Sequence, residues 1–492
     1  MCIRDRLRGA DPQLLALVRY AVGTLKVNLR PVWAASRETL VAMAGRLGEE
    51  VWRVSFAELQ AADALQVAGA EGDRGAEGDG GAEGDGVADE PDGAAASEHP
   101  PDASDTVADV LLSDPTLQAR LALLRTAIHV RAPAPLAATA ASIAARAAGT
   151  VRFDAARFAH EVLALYTAHA PLAERHSAAF VAHAAAQWAT LVDADAAHAP
   201  AAARLERLRA YLETFAAFRH PAAMHDAPAM KQRFLDACAH PELAVQRAAL
   251  DSLLAWRDAW LERHADLLRG LLDPARFRDT LAQADLSAAS EQIGAAERAE
   301  VMGVVVRVLY GLMVSRRGQR TSGAGQKARR AAILSALYAA APADLGLLVD
   351  LMLASLGDAA GHVAGGVFVP GVPAAPARKQ LGMLQLLGDV LRHLGRPLAP
   401  SLPRLVGVTV SLAAAACDDA RREVRRAALR RLADLVRFDG IDWAVFAPPL
   451  LALVRPRLAT FAADSVQAPS ALLDLVRAWA TRADTLLSLI HI

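Results

Sequence analysis

A nine-residue pattern, V-x-R-A-A-L-x-x-L, occurs at two distant places in this sequence. The copies are VQRAALDSL at residues 245–253 and VRRAALRRL at residues 424–432, with a weaker echo, ARRAAILSAL, at residues 328–337. The apolar residues recur with the period of an α-helix, and the paired alanines allow a second helix to approach closely. A helix with a single apolar face is stable only when it packs on neighbours, so the pattern predicts stacked helices.

The length and composition of the chain agree with a stack of repeats. A chain of 492 residues is too long for one ordinary core, and aromatic residues make up only 5% of it. Alanine, leucine and arginine dominate, and these residues favour helices over sheets. A polar or Pro-containing turn, a valine, an arginine and paired alanines together resemble the second helix of a HEAT repeat. The predicted fold class is therefore an all-α, HEAT/armadillo-like helical-repeat solenoid, and coincidence in an alanine-rich chain is the alternative.

An acidic segment interrupts the helical pattern near the N-terminus. Residues 69–86 read GAEGDRGAEGDGGAEGDG, and residues 66–107 show no apolar period. Such a segment buries too little apolar surface to offset its chain entropy, so residues 66–107 are predicted to be a disordered acidic insertion. The insertion has 12 acidic residues and one basic residue, a net charge of −11 against −1 for the whole chain, so the other 450 residues carry +10. This mildly basic remainder is compatible with an anionic partner.

The helical period and its interruptions divide the rest of the sequence into segments. Helical repeats are predicted at residues 7–65, 108–356 and 378–486, and a Gly/Pro/Val-rich surface loop at residues 357–377.

The end segments MCIRDR, residues 1–6, and LSLIHI, residues 487–492, correspond to the two complementary strands of a transposon mosaic end that is used to tag DNA for sequencing. We treat both as sequencing-tag-like artefacts and expect the natural protein to continue beyond them.

The sequence contains no residue pattern typical of enzymes or of metal sites. Cys2, Cys238 and Cys417 lack metal-ligand spacing, the fourteen histidines include no H-E-x-x-H motif, and no serine lies in a G-x-S-x-G motif. The longest apolar run, residues 405–417, is shorter than a membrane span of roughly 18 residues. We therefore expect no catalytic residues, cofactor, metal, small-molecule substrate or membrane contact.

The strongest candidate site is the basic segment SRRGQRTSGAGQKARR, residues 315–330. Its glycines, Gly323-x-Gly325-x-x-Ala328, resemble part of a dinucleotide-binding fingerprint, but the preceding segment has the pattern of a helix where that fingerprint needs a strand. Two interpretations remain, a contact with the RNA backbone and a solvated turn between helices. The candidate RNA contacts are Arg316, Arg317, Arg320, Lys327, Arg329 and Arg330.

The order of several segments, from about residue 234 to residue 486, resembles one family of proteins. RVLYGLM at Arg307–Met313 with its trailing basic loop, and RKQLG at Arg378–Gly382, match the pattern of the down-regulated-in-metastasis (DRIM) family, component twenty of the small-subunit processome. The acidic hexapeptides and the Gly/Pro/Val-rich loop are not features of that family. The resemblance implies that this chain is an internal piece of a very large protein made of HEAT-like repeats.

The resemblance also implies a function. DRIM proteins are non-catalytic scaffolds in the nucleolus, within the nucleus, and they belong to the particle built around a box C/D small nucleolar ribonucleoprotein. The expected partners are pre-ribosomal RNA and other processome proteins, and the expected role is support of pre-rRNA processing and 18S rRNA maturation. A flexible cationic loop then becomes a plausible RNA contact. The alternative is a HEAT-repeat adaptor that binds proteins, such as a transport receptor or a phosphatase scaffold.

Overall fold

The structure is a computed structural model, and it is built almost entirely of α-helices. It describes residues 12–27, 29–74, 154–192, 201–315, 323–357, 360–416, 421–457 and 470–482. Helix follows helix with short turns, and the described strands form one small hairpin. This confirms the predicted all-α helical-repeat class.

The helices are numbered here in chain order. The first eleven are α1 Pro12–Thr24, α2 Arg30–Arg74, α3 Ala155–Ala168, α4 Pro171–Arg175, α5 Ser177–Val192, α6 Ala201–Ala216, α7 Ala227–Ala237, α8 Leu243–Leu254, α9 Ala259–Arg263, α10 Ala265–Leu271 and α11 Phe277–Gln283. The others are α12 Arg298–Val314, α13 Gly323–Leu337, α14 Pro342–Ala354, α15 Ala377–Leu394, α16 Leu402–Ala415, α17 Arg422–Leu435, α18 Trp443–Val454 and α19 Ala471–Ala480. Short 3₁₀ helices occupy Pro221–Ala223, Arg396–Ser401 and Arg455–Arg457, and the hairpin consists of β1 His362–Ala364 and β2 Val367–Val369.

The chain divides into two compact units. One comprises Met1–Gln232 and Asp251–Trp256, and the other comprises Arg233–Leu250 and Arg257–Ile492. In the first unit α2 packs on α1 and α3, and α3 packs on α6. Aromatic rings fill its core, with Trp52 stacked on Phe56 at 4.4 Å between ring centroids. The unit therefore has a helical core of its own.

The second unit arranges most of its helices in two layers. In the first layer α12 packs on α14, α14 packs on the 3₁₀ helix that leads into α16, and α16 packs on α18. In the second layer α13 packs on α15, α15 on α17, and α17 on α19. Each second-layer helix follows a first-layer helix in the chain, as expected for stacked helical pairs. We call α12, α14, α16 and α18 the first layer, and α13, α15, α17 and α19 the second layer.

The repeated sequence pattern forms helices whose apolar residues are buried. The buried residues are Val245, Leu250 and Leu253 on α8, Ile333, Leu334 and Leu337 on α13, and Val424, Leu429 and Leu432 on α17. The arginine of the pattern has the same role on α8 and on α13. Arg247 donates to the carbonyl oxygen of Leu272, and Arg330 donates to that of Met313, so each side chain satisfies a carbonyl at a helix end. On α17 the neighbouring Arg425 does this for Ala416, and Arg426 remains exposed.

Two segments differ in detail from the sequence-based expectation. Helix α2 continues to Arg74, so residues 66–74, assigned to the acidic insertion, are helical, and residues 75–107 lie outside the described residues. Within the predicted surface loop at residues 357–377, the structure forms the β1–β2 hairpin, with Phe368 buried. The two tag-like ends lie outside the described residues.

One helical stretch, Arg396–Ala415, is long and apolar enough by length and composition to span a membrane, and 61% of the window that passes this test is buried. The stretch joins a 3₁₀ helix to α16, and Leu405, Val406, Val410 and Leu412 are fully buried. Its apolar character is explained by its position between α17 and α18 in the core of the second unit.

Candidate nucleic-acid interface

The basic segment begins and ends at anchored points of the second unit. Ser315, directly after α12, is buried, and its carbonyl oxygen accepts a hydrogen bond from Gln326 Nε2 of α13 at 2.8 Å. Arg330 Nε donates to the carbonyl oxygen of Met313 at the same distance. Two side chains of α13 therefore fix the C-terminal end of α12.

The residues predicted to contact RNA differ in their exposure to solvent. Arg316, Arg317 and Arg320 lie outside the described residues. Lys327 is exposed on the first turns of α13, and Arg329 is half-buried. Arg330 is also half-buried, and its guanidinium reaches Asp389 of α15 at 3.5 Å in addition to the carbonyl of Met313. Lys327 thus faces solvent, whereas Arg330 already has two partners within the protein.

The motif that carries the family resemblance on α12 makes helix-to-helix contacts. Gly311 lies against the turn that connects α7 to α8, and a Cβ atom there would be 2.6 Å from the carbonyl oxygen of His240. In the same place the buried Gln246 donates to the carbonyl oxygens of Cys238 and Val308, at 2.7 Å and 3.0 Å. This part of the motif therefore joins elements within the second unit.

The second segment that resembles the family, Arg378–Gly382 at the start of α15, contains a buried glutamine and an exposed arginine. Gln380 is buried and donates through Nε2 to the carbonyl oxygen of Ala375 at 2.7 Å, which fixes the entry into the helix. Arg378 is exposed on the same turn. Of these residues only the arginine is available to a partner.

The two layers differ in their exposed charges. On the described residues of the first layer, the exposed charged side chains are Glu300, Asp350 and Arg404, and the last two form an ion pair. On those of the second layer, the exposed acidic residues are Glu423 and Asp474, and the exposed basic residues are Lys327, Arg378, Arg392, Arg422, Arg426, Arg430 and Arg477. The second layer therefore presents an excess of positive charge. Helix α17 was not among the sites predicted from the sequence, although the spacing of its arginines is visible there.

Side chains that resemble catalytic or metal-binding groups have structural partners. Cys238 is buried, and burial raises the pKa of its thiol to about 12, which keeps it protonated and unreactive near neutral pH. In the first unit, His183 contacts Asp63 at 2.8 Å, and Asp63 also binds Arg207 at 2.7 Å. The residues that the structure describes contain no group of three or more His, Cys, Asp or Glu side chains that could hold a metal ion.

The tryptophans, which are also able to stack on bases, serve mainly in packing. Trp33, Trp52, Trp188, Trp443 and Trp479 are buried, and Trp256 is half-buried with Lys231 over its ring at 4.8 Å. These buried rings are not available to stack on bases. Among the described residues, the exposed aromatic rings are those of Tyr20 and Tyr338, so exposed cations are the larger set of possible contacts to a nucleic acid.

Comparison with known proteins identifies similar sequences. The family model described as "U3 small nucleolar RNA-associated protein 20, N-terminal" matches residues 202–492. A protein named U3 small nucleolar RNA-associated protein 20 from Schizosaccharomyces pombe is 28% identical over 273 residues, which are 51% of this chain and 11% of that protein. Its counterpart from Saccharomyces cerevisiae is 24% identical over 289 residues, 55% of this chain and 11% of that protein. The matched region thus spans about a tenth of each relative.

Proposed function

The chain belongs to the U3 small nucleolar RNA-associated protein 20 family, and on this premise we propose that it is a non-catalytic scaffold of the small-subunit processome. It supports pre-rRNA processing and 18S rRNA maturation during assembly of the small ribosomal subunit. Its site of action is the nucleolus, within the nucleus. The observation that carries the proposal is the family match, which includes the whole of the second unit.

Stacked helices are well suited to this work. Each repeat contacts mainly its neighbours, so a long array presents an extended surface on which several partners can bind at once. The proposed partners are pre-ribosomal RNA, the box C/D small nucleolar ribonucleoprotein and other processome proteins. The excess of exposed cations on the second layer supports an RNA partner, because phosphate contacts supply most sequence-independent affinity.

Co-sedimentation with pre-ribosomal particles tests this function. The tagged chain is expressed in yeast, and nuclear extracts are separated on sucrose gradients at low and high salt. We expect the chain to sediment with U3 small nucleolar RNA and the small-subunit precursor at low salt, and to dissociate as salt rises, because ionic contacts are screened. Sedimentation only with free protein, or with a transport GTPase, would contradict the proposal and favour the adaptor alternative.

The basic segment supplies one RNA contact in this proposal. Reversal of charge at Arg316, Arg317 and Arg320 to glutamate is expected to weaken binding of a labelled single-stranded RNA. The slope of log affinity against log salt should fall by about 2, since each lost contact to a single strand removes roughly 0.7. Fluorescence anisotropy across a salt series measures both quantities. An unchanged slope would show that the segment is a solvated turn.

A further inference from the structure

Helix α17 carries more arginine than its packing uses. Its sequence, REVRRAALRRLADL, contains five arginines and two acidic residues. Arg425 donates to the carbonyl oxygen of Ala416 at 3.0 Å, and Arg431 pairs with Asp434 at 3.4 Å. Arg431 also lies across α15, where a Cβ atom on Gly388 would be 2.6 Å from its Cζ atom. These two arginines attach α17 to its neighbours.

Arg426 and Arg430 have no comparable role. Both are exposed, and neither has an acidic partner among the residues that the structure describes. Arg422 is exposed four residues earlier on the same face of the helix. The exposed acidic residue of this helix, Glu423, follows Arg422 in the sequence and therefore lies on a different side of the helix. The outward face of α17 is therefore a row of cations.

The spacing of these arginines determines which kind of ligand they can bind. Residues four apart on a helix are separated by about 6 Å along the axis, so the backbone positions of Arg422, Arg426 and Arg430 span about 12 Å. Arg426 and Arg430, attached one helical turn apart, carry like charges that repel one another, because screening is incomplete within a Debye length of about 8 Å at physiological salt. A linear polyanion laid along the row would relieve this repulsion and form charge-assisted hydrogen bonds with each fork-shaped guanidinium.

The neighbouring helices also carry exposed arginines. Helix α17 packs between α15 and α19, on which Arg378, Arg392 and Arg477 are exposed, and Arg392 pairs with Asp389 at 3.2 Å. A peptide partner commonly needs apolar anchors that fill pockets. Of the described residues of α15, α17 and α19, none is an exposed large hydrophobic side chain. This composition favours a phosphate backbone over an acidic protein.

We propose that the outward face of α17, with Arg426 and Arg430 at its centre and Arg422 beside them, binds the phosphate backbone of RNA. This face is a second contact, separate from the basic segment at residues 315–330, and it rests on the proposed function in taking RNA as the partner. Phosphate contacts position a nucleic acid without selecting its sequence. The second layer would then hold an RNA strand at two places, on α17 and near the start of α13.

The test is the charge-reversed pair R426E/R430E in the 492-residue chain, measured by anisotropy with a fluorescently labelled single-stranded oligouridine. We expect affinity at low salt to fall on the order of tenfold, and the slope of log affinity against log salt to fall by about 1.4. R426Q/R430Q removes the charges without adding new ones and should give a smaller loss in the same direction. It replaces the reversed pair if circular dichroism shows that the latter is unfolded.

A matched control changes two exposed arginines elsewhere. Arg269 on α10 and Arg455 after α18 are exposed and have no acidic partner among the described residues. R269E/R455E alters net charge as much as R426E/R430E does, so an equal loss of RNA affinity in both variants would overturn the proposal. A loss confined to the α17 variant supports a local site.

The remaining outcomes separate this proposal from the proposed function. If R426E/R430E binds oligouridine like the unaltered chain while the variant at Arg316, Arg317 and Arg320 does not, the α17 site is wrong and the basic segment stands. If the α17 variant loses only binding to a polyglutamate peptide, the face binds an acidic protein and the proposal is overturned. If the unaltered chain co-sediments with processome particles but binds no RNA, the scaffold function stands and both RNA contacts fail.

Discussion

Single residues of the second unit show how a sequence motif can be structural rather than functional. Gly311 and Gln246 come from distant parts of the chain and meet where α12 crosses the turn after α7. The glycine provides the space, and the glutamine donates to the carbonyl oxygen of Cys238, just after the end of α7, and to that of Val308 within α12. The family resemblance at this position therefore reflects packing between repeats.

Substitution of Gly311 by alanine tests this role. The added Cβ atom would be 2.6 Å from a backbone oxygen that cannot move alone, so we expect stability to fall by about 1–3 kcal/mol, as for an overpacked core. The control is Gly346→Ala on α14, where a Cβ atom meets nothing within 4 Å and helix propensity should raise stability by about 0.4–1 kcal/mol. Urea denaturation followed by circular dichroism measures both, and equal midpoints would contradict the packing argument.

At the scale of elements, the β1–β2 hairpin is the least expected feature. Phe368 points inward from β2, and its ring lies 5.1 Å from that of Phe446 on α18. On α16, a Cβ atom at Gly407 would be 2.9 Å from Phe368 Cε2, so the glycine makes room for the ring. Ser411 accepts a hydrogen bond from the backbone N–H of Gly371 at 2.9 Å. The hairpin is thus attached to the first layer by one aromatic side chain and a polar contact.

Removal of that ring tests the attachment. Phe368→Ala should lower stability by about 3 kcal/mol, the lower end for a buried phenylalanine, because the ring is 5% exposed and sits near a surface element. Limited proteolysis should then cut residues 360–376 faster than in the unaltered chain. Val372→Ala is the control, since Val372 is 79% exposed and its loss should change stability by less than about 0.5 kcal/mol. Similar cleavage rates in both variants would mean that Phe368 is not the anchor.

At the scale of the molecule, the distribution of charge matters more than its sum. The net charge of −1 conceals an acidic insertion and a basic remainder. In the second unit the basic residues collect on one layer, and the first layer has few exposed charges. An RNA partner would therefore meet a cationic surface on a chain that is nearly neutral overall, because local potential governs association.

The sequence by itself determined the helical class, the repeat pattern and the resemblance to a processome family. These follow from local information, since a period of 3.6 residues and a fixed motif are visible wherever the chain lies in space. The tertiary structure decided which arginines are free. Arg330 and Arg426 occupy the same place in the repeated pattern, yet one donates to Met313 and the other faces solvent. Only packing between different helices creates that difference, because a hydrogen-bond partner more than a few residues away has no signature in the pattern.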